Sequence, residues 1–390
     1  MREASSSTDV IVVGARAAGA ATAMLLARAG LSVVLIDRDR PGADTLSTHA
    51  LMRGAVVQLS RWGLLPAVVA AGTPAIRETT FHYASSDVTV PIKPGLGVDA
   101  LYAPRRTVLD PILVDAARAA GAQVHHRRAV VGLVRSGSRV VGAQVASPGC
   151  PPRPLTARLV IGADGRHSTV ARLVDAPVTH RAEHTSANIY AYYRGLPAQG
   201  YEWAYRPDGM AGLIPTNDDL TCVFAAHLPA RIGRGGEGVL REVVAAASPE
   251  IAERMARAAL VSPVRTFTGQ PGHLRRPWGP GWALVGDAGA WKDPISAHGL
   301  TDALRDAELL TVAVLRSLRG ERDGRAAMLQ YELERDRLTL PILRASDEIA
   351  AMRWAETRVV ELLGSLNAAM RAELETIRAL SGPRSQATVA

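Results

Sequence analysis

Residues 9–37 read DVIVVGARAAGAATAMLLARAGLSVVLID, and the architecture of the chain follows from them. A short apolar run leads into a turn at 14–19, and an Ala/Leu-rich segment follows that Gly30 can cap. A second apolar run then ends at Asp37. Strand, tight turn, helix and strand within about 30 residues are typical of a βαβ unit. The stretch therefore predicts a parallel sheet with covering helices.

The turn of this unit has the composition of a dinucleotide-binding loop. Gly14 permits a tight turn, Gly19 permits close packing of helix on strand, and the helix N-terminus faces a pyrophosphate. Asp37 ends the second strand, where a carboxylate can accept hydrogen bonds from ribose hydroxyls. Arg16 stands at the middle position, which is usually glycine, and its guanidinium could reach a phosphate. A generic α/β turn is the alternative that the loop alone leaves open.

Two later segments resemble further parts of one family. Residues 159–172 read LVIGADGRHSTVAR, and residues 282–289 read WALVGDAG before DPISAHGLTDA at 293–303. With the first loop they follow the order of the three FAD fingerprints of aromatic hydroxylases. From residue 10 to residue 305 the sequence thus resembles the group A flavin monooxygenases of the p-hydroxybenzoate hydroxylase type.

The resemblance implies FAD as the cofactor and assigns residues to it. The ADP half would meet the first loop, and the ribityl chain and the flavin ring would meet the third segment. The residues implied to bind FAD are Gly14, Ala15, Gly19, Asp37, Arg38, Arg53, Arg106, Val130, Asp164, Gly165, Asp287, Pro294, Gly299 and Leu300. For Arg53 and Arg106, a solvated arginine at a helix end is the alternative.

The same resemblance implies the reaction. NAD(P)H would bind transiently and reduce the flavin, and O2 would then supply oxygen to an aromatic or other electron-rich small molecule through a C4a-hydroperoxyflavin. No metal is needed. His298 is the candidate catalytic residue, because a protonated imidazole would add positive potential beside the flavin pyrimidine edge. A hydrogen-bonded loop histidine is the alternative.

Aromatic residues cluster on the strands expected to cover the flavin. Alternation along the strand places Tyr190 and Tyr192 on one face. A tyrosine could donate a hydrogen bond to a substrate phenol, and a tryptophan could stack on an aromatic ring. The candidate substrate-binding residues are His49, Tyr190, Tyr192 and Trp203, and an ordinary sheet core is the alternative.

The expected fold is α/β, with a Rossmann-type FAD-binding fold, an inserted antiparallel β-sheet substrate domain and a helical C-terminal segment. The expected bounds are 8–78, 101–178 and 266–310 for the FAD-binding domain, 79–100 and 179–265 for the substrate domain, and 311–390 for the C-terminal segment. Residues 123–134 are expected to form one strand, Pro148–Pro154 to break the chain, and Pro341 to break the C-terminal helices.

Composition excludes several classes of protein. The net charge of +8 comes from scattered arginines without interleaved aromatic residues, which argues against nucleic-acid binding. Cys150 and Cys222 lack the spacing of a disulfide scaffold, a zinc site or a dithiol–flavin reductase. Nothing in the sequence resembles a transmembrane helix or a secretory signal. We therefore expect a cytoplasmic monomer or homodimer that binds a small molecule and no membrane.

Two other functions fit the three fingerprints. A FAD-dependent reductase of the geranylgeranyl reductase type acts on unsaturated substrates, and Tyr201-Glu202-Trp203 is similar to part of its Tyr-x-Trp-x-Phe-Pro strand. Residues 205–207 break that pattern. A non-catalytic flavin-binding protein is the alternative from another class. A flavin halogenase fits less well, because no Trp-x-Trp-x-x-Pro stretch is present.

Overall fold

The computed structural model describes residues 8–207, 209–318, 320 and 324–380. Parts of the predicted C-terminal segment, at 319, 321–323 and 381–390, lie outside the described residues.

Strands and helices alternate at first and then separate into blocks. The strands are β1 (Thr8–Val13), β2 (Val33–Ile36), β3 (Glu78–His82), β4 (Asp87–Pro91), β5 (Gln123–His125), β6 (Ala129–Ser136), β7 (Arg139–Ser147), β8 (Cys150–Gly162), β9 (Val178–Arg181), β10 (Ala187–Arg194), β11 (Tyr201–Arg206), β12 (Gly209–Thr216), β13 (Leu220–His227), β14 (Ala259–Leu260), β15 (Arg265–Phe267), β16 (His273–Arg275), β17 (Trp278–Gly279), β18 (Trp282–Leu284) and β19 (Ala290–Trp291). The helices are α1 (Ala17–Arg28), α2 (Arg53–Arg61), α3 (Leu65–Ala70), α4 (Arg106–Ala119), α5 (Thr169–Leu173), α6 (Pro229–Ile232), α7 (Glu237–Ala247), α8 (Pro249–Ala256), α9 (Gly299–Leu318), α10 (Gly324–Ala350) and α11 (Glu356–Leu380).

The first sheet carries the three sequence motifs. Its strand order is β17-β18-β8-β1-β2-β5. In addition, β7 pairs with both β6 and β8. β1 is parallel to β2 and β8, and β18 is parallel to β8. The register pairs Val13 with Ile36 and with Gly162, and Gly162 with Leu284, so the carboxyl ends of these strands share one edge. The α/β fold predicted from residues 9–37 is thus confirmed.

The second sheet has the order β14-β10-β13-β12-β11-β3-β4, with β15 on β10. Its neighbouring strands are antiparallel, as predicted, except that β3 and β11 are parallel. α7 and α8 pack on one face of this sheet, where they enclose Tyr193. The opposite face carries Tyr190 and Tyr192 and belongs to the same hydrophobic core as β1 and α1.

Prolines break fewer elements than the sequence predicts. Pro151, Pro152 and Pro154 lie within β8, whose first half pairs with β7 alone and so tolerates residues without an N–H on its open side. Pro341 lies inside α10, which continues through it. Residues 123–134 form two strands, β5 and β6, because the chain turns between them at Arg127, which has a φ of +55°.

The C-terminal helices close the core. Leu362, Leu366 and Ile377 of α11 are buried in the cluster that also contains Val10 and Leu26. Within the described ranges, no helix is both long enough and apolar enough to cross a membrane.

Candidate functional site

The turns after β1, β8 and β18 meet at the carboxyl edge of the first sheet. Gly14 has a φ of +103°, and a Cβ there would lie 2.5 Å from the carbonyl oxygen of Ala163. A Cβ on Gly19 would lie 1.8 Å from the carbonyl oxygen of Gly14. Both positions therefore require glycine, because strand, turn and helix approach each other too closely for a side chain.

Asp37 ties the first turn to the end of β2. One carboxylate oxygen accepts the N–H of Ala15 at 2.6 Å, and the other accepts the N–H of Asp39 at 2.7 Å. The side chain is buried. Each oxygen keeps a second lone pair that a ribose hydroxyl could use.

Arg16 does not disturb the turn in which it replaces glycine. Its backbone is extended, with φ −96° and ψ −170°, a conformation open to any residue. The guanidinium lies 3.1 Å from the Asp39 carboxylate and 3.4 Å from that of Asp110. It also donates hydrogen bonds to the carbonyl oxygens of Ala43 and Asp44. A cavity of about 370 Å³ lies beside these groups and beside Asp37.

The arginines implied to bind FAD have different surroundings. Arg106 begins α4 and holds Asp110 through two hydrogen bonds of 2.9 Å, with little exposure. Arg53 begins α2, as expected, and donates to the carbonyl oxygens of Lys93 and Gly95. Arg38 is exposed.

The second turn is built around a helix cap. The Asp164 carboxylate accepts the hydroxyl of Ser168 at 2.5 Å and the N–H groups of Thr169 and Val170, which begin α5. Burial raises the pKa of Asp164, and these hydrogen bonds oppose the increase. Gly165 has a φ of +78°. Asp164 thus shapes the turn, while Val130 is buried in β6.

Asp287, after β18, has no hydrogen-bond partner among the described residues. It is half-buried, and burial raises its pKa to about 6, while Lys292 and Arg106 oppose the increase. A carboxylate without a partner beside two other turns fits the ribityl hydroxyls of FAD. The same edge offers the N-terminus of α1 to the pyrophosphate. The residues present therefore fit the cofactor.

Asp293 organises the loop between β19 and α9. Its carboxylate accepts the Ser186 N–H at 2.7 Å, the Ser186 hydroxyl at 2.6 Å and the Ile295 N–H at 3.1 Å. It thereby joins this loop, which contains Pro294, to the start of β10. Asp293 was not among the predicted site residues, although its place before a proline in the third motif was a signal.

His298 lies in a buried cluster of charged groups rather than on an open loop. Its Nε2 lies 2.8 Å from the Glu373 carboxylate of α11, and its Nδ1 has no partner among the described residues. Arg305 bonds Glu373 and Asp302, and Lys292 pairs with Asp302. Gly299 is exposed and Leu300 is half-buried at the start of α9.

The aromatic candidates share one core. Tyr190 and Tyr192 form an edge-to-face pair with ring centroids 6.0 Å apart. Trp203 packs on Tyr201 and Phe224.

His49 lies against the tyrosine pair. It has a φ of +52°, stacks on Tyr192 with centroids 5.8 Å apart, and places Nε2 3.1 Å from the Tyr192 hydroxyl. Burial, assisted by Arg105, lowers the pKa of His49 to about 3, so the ring is neutral. The Ser47 N–H donates to the Tyr190 hydroxyl at 3.2 Å. The segment at 47–49 thus meets the phenol groups of the second sheet.

Curated proteins of several activities are similar to the chain. A probable electron transfer flavoprotein-quinone oxidoreductase of Escherichia coli is 34% identical over 42% of the chain, and the match covers 38% of that protein. A digeranylgeranylglycerophospholipid reductase of Methanococcoides burtonii is 26% identical over 83% of the chain and 78% of its own length. The 6-methylpretetramide 4-monooxygenase of Streptomyces rimosus is 28% identical over 84% of the chain and 81% of its own length.

Solved structures share the fold. A flavin-dependent brominase superposes with a TM-score of 0.78 at 19% identity, over 96% of the chain and 100% of its own. PqsL of Pseudomonas aeruginosa, in complex with 2-aminobenzoylacetate, superposes with a TM-score of 0.77 at 22% identity. The superposition covers 92% of the chain and 99% of PqsL. Residues 7–346 match the model of the FAD binding domain family. The chain therefore belongs to this family, and FAD is its cofactor.

Proposed function

We propose that the chain is a FAD-dependent monooxygenase that uses NAD(P)H and O2 to hydroxylate an aromatic or other electron-rich small molecule. The observation that carries the proposal is the contact of His49 with Tyr192, beside Tyr190. It places aromatic rings with hydroxyl groups against the segment between β2 and α2, close in the chain to the flavin turns. Such a face suits a phenolic substrate better than an isoprenoid chain.

The chain's own residues position and shield the reactants. Bound FAD supplies hydride acceptance from NAD(P)H and activation of O2. Asp37 accepts hydrogen bonds from the ribose hydroxyls of FAD, and Asp287 accepts them from the ribityl hydroxyls. The backbone of the three turns surrounds the cofactor. Tyr190 and Tyr192 orient the substrate, and Trp203 stacks on it. A protonated His298 would add positive potential at the start of α9, and the buried core would keep water away from the reactants.

The predicted division into FAD-binding, substrate and C-terminal parts belongs to this proposal. The second sheet would be the substrate-binding part, because its tyrosine-bearing face meets the core of the first sheet. The cytoplasmic location and the monomeric or dimeric state stay predictions.

The relatives favour two reactions. The Streptomyces rimosus relative is named a monooxygenase, and PqsL was solved with an aromatic amine, which supports the proposal. The Methanococcoides burtonii relative, which matches over most of its length, supports a reductase of unsaturated lipids as a second candidate.

Aerobic NADH and NADPH oxidation by the holoenzyme, with and without a panel of phenols, tests the proposal. We expect a phenol to stimulate oxidation and to gain one oxygen atom from labelled O2, as measured by mass spectrometry. Anaerobic saturation of an isoprenoid double bond would replace the proposal with the reductase. A flavoprotein inert to NADH and NADPH would support the non-catalytic alternative.

Tyr192→Phe and Tyr193→Phe form a matched pair for the substrate face. The two tyrosines are adjacent but lie on opposite faces of β10. Loss of the Tyr192 hydroxyl should lower kcat/KM for the phenol about tenfold, which corresponds to one hydrogen bond. Tyr193→Phe should leave kcat/KM unchanged. Equal effects of both substitutions would contradict the role of Tyr192.

A further inference from the structure

His82, at the end of β3, lies between two carboxylates of the second sheet. The residue is buried, with 7% of its surface exposed. Its Nε2 lies 3.1 Å from the carboxylate of Glu202 on β11. Its Nδ1 lies 3.0 Å from the carboxylate of Asp87, the residue that pairs with His82 in the β3–β4 hairpin. Each ring nitrogen therefore faces one carboxylate.

Glu202 determines which nitrogen of His82 donates a proton. Its buried carboxylate accepts two hydrogen bonds from the guanidinium of Arg254 on α8, one of them at 3.0 Å. Burial would raise the pKa of Glu202, but His82 and Arg254 lower it, so the group is an anionic acceptor for Nε2–H. Histidines that bind metals usually donate their other N–H to such a carboxylate, which orients the ring. The Nδ1 lone pair of His82 can then meet a cation.

Glu250 adds a third donor group from α8, one turn before Arg254. One ligand atom each of His82, Asp87 and Glu250 lie within 4.8 Å of one another. Two ligands of a tetrahedral Zn²⁺ lie about 3.3 Å apart, because each bond is about 2.0–2.1 Å long. His82 and Asp87 therefore need only a small shift to share an ion. Asp87 and Glu250 are exposed, which leaves a fourth position for water.

A proton competes with a metal ion for Nδ1. The hydrogen bond to Glu202 raises the pKa of His82, burial opposes the increase, and Asp87 adds to it. Zn²⁺ must displace this proton, because only a neutral imidazole binds a metal. The donor set of one imidazole nitrogen and two carboxylates is one that Zn²⁺ accepts.

We propose that His82, Asp87 and Glu250 form a Zn²⁺-binding site that ties the β3–β4 hairpin to α8. Glu202 is the positioning residue that orients His82 in this site. The inference concerns the second sheet and does not depend on which reaction the flavin performs.

Calorimetric titration of the holoenzyme with Zn²⁺ at pH 8, after treatment with EDTA, tests the proposal. We expect one ion per chain and no binding to His82→Gln. Asp87→Asn and Glu250→Gln each replace a charged donor with an amide. Each should raise the Kd more than about tenfold, since even the loss of a group that only orients a ligand costs about 10–100-fold. Both side chains are exposed, so these two variants should fold even if His82→Gln does not.

His180→Gln and Glu253→Gln are the matched controls. His180 is an exposed histidine on β9, and Glu253 is an exposed carboxylate on α8. Both variants should bind Zn²⁺ as the wild type does. The proposal is overturned if the wild type binds no Zn²⁺, or if Asp87→Asn and Glu250→Gln bind it as tightly as the controls. His82 would then serve only as an ion pair between Glu202 and Asp87.

Hydrogen exchange locates the bound ion. Zn²⁺ should slow amide exchange in β4 and in α8 of the wild type, and Glu250→Gln should remove this protection. Protection confined to other parts of the chain would contradict the assignment to His82, Asp87 and Glu250. Neither measurement involves NAD(P)H or a substrate, so the result is independent of the monooxygenase proposal.

Discussion

At the scale of single residues, Arg16 forms a bridge at the edge of the proposed FAD site. Its guanidinium joins the first turn to Asp39 after β2 and to Asp110 of α4, beside the cavity that Asp37 lines. Partly exposed ion pairs contribute about 0–1 kcal/mol each. With two carboxylates and two carbonyl oxygens bound, Arg16→Gly should raise the Kd for FAD about tenfold. Fluorescence titration of the apoprotein with FAD measures this change.

The control for Arg16 is an arginine ion pair on α7, which packs on the second sheet. Arg241 pairs with Glu237 on α7. Arg241→Gly should bind FAD as the wild type does. If Arg16→Gly also binds FAD with unchanged affinity, then the bridge does not retain the cofactor.

Residues of the site differ in how far the sequence could predict them. Gly14 and Gly19 were predictable because their own backbone geometry excludes a side chain. The partners of His298 and Arg16 were not, since Glu373 lies 75 positions from His298 and Asp110 lies 94 positions from Arg16. Only the packing of α11 and α9 on the same two helices, α2 and α10, and the packing of α1 on α4, bring those side chains together.

At the scale of elements, two helical glycines have opposite roles. A Cβ on Gly19 in α1 would collide with the Gly14 carbonyl oxygen, whereas Gly364 in α11 is exposed and faces open space. Gly19→Ala should cost about 1–3 kcal/mol of stability through overpacking, and should weaken FAD binding. Gly364→Ala should stabilise the protein by about 0.5–1 kcal/mol, because alanine loses less entropy in a helix.

Denaturant unfolding of both glycine variants measures these free energies. A Gly19→Ala protein as stable as Gly364→Ala would show that the first turn can relax away from α1. The close contact of helix and strand would then not be needed for the site.

Elements were predictable where one periodic pattern controls them. The apolar runs at β1 and β2 predicted buried parallel strands, and the short aromatic strands predicted the second sheet. Proline rules failed at β8 and α10, because an edge strand leaves one side without partners and a long packed helix tolerates Pro341. In both places the tertiary surroundings outweighed the local preference.

At the scale of the whole molecule, distant parts converge on the loop between β19 and α9. Asp293 fixes the loop to β10 of the second sheet through Ser186. Glu373 fixes His298 of the same loop to α11. The first sheet supplies Asp287 just before the loop. A displacement of any of these parts therefore changes the position of this loop.

Because the core buries neutral histidines, the stability of the whole molecule should depend on pH. His273 of β16 is 3% exposed, and its Nε2 has no partner among the described residues. Burial, assisted by Arg275, lowers its pKa to about 4. Between pH 6.5 and pH 4 the unfolded chain binds the proton that the folded chain rejects, so stability falls as the pH falls.

His273→Gln isolates this contribution from the other titrating groups. Asp287, whose pKa is raised to about 6, acts in the opposite direction, but it is present in both proteins and cancels in the comparison. Between pH 7.5 and pH 5 the wild type should lose about 1–2 kcal/mol more unfolding free energy than His273→Gln. Urea unfolding at the two pH values measures the difference. As a control, replacement of the exposed His180 on the neighbouring strand β9 should leave the wild-type loss of unfolding free energy unchanged. If His273→Gln loses as much unfolding free energy as the wild type, then His273 is protonated in the folded protein.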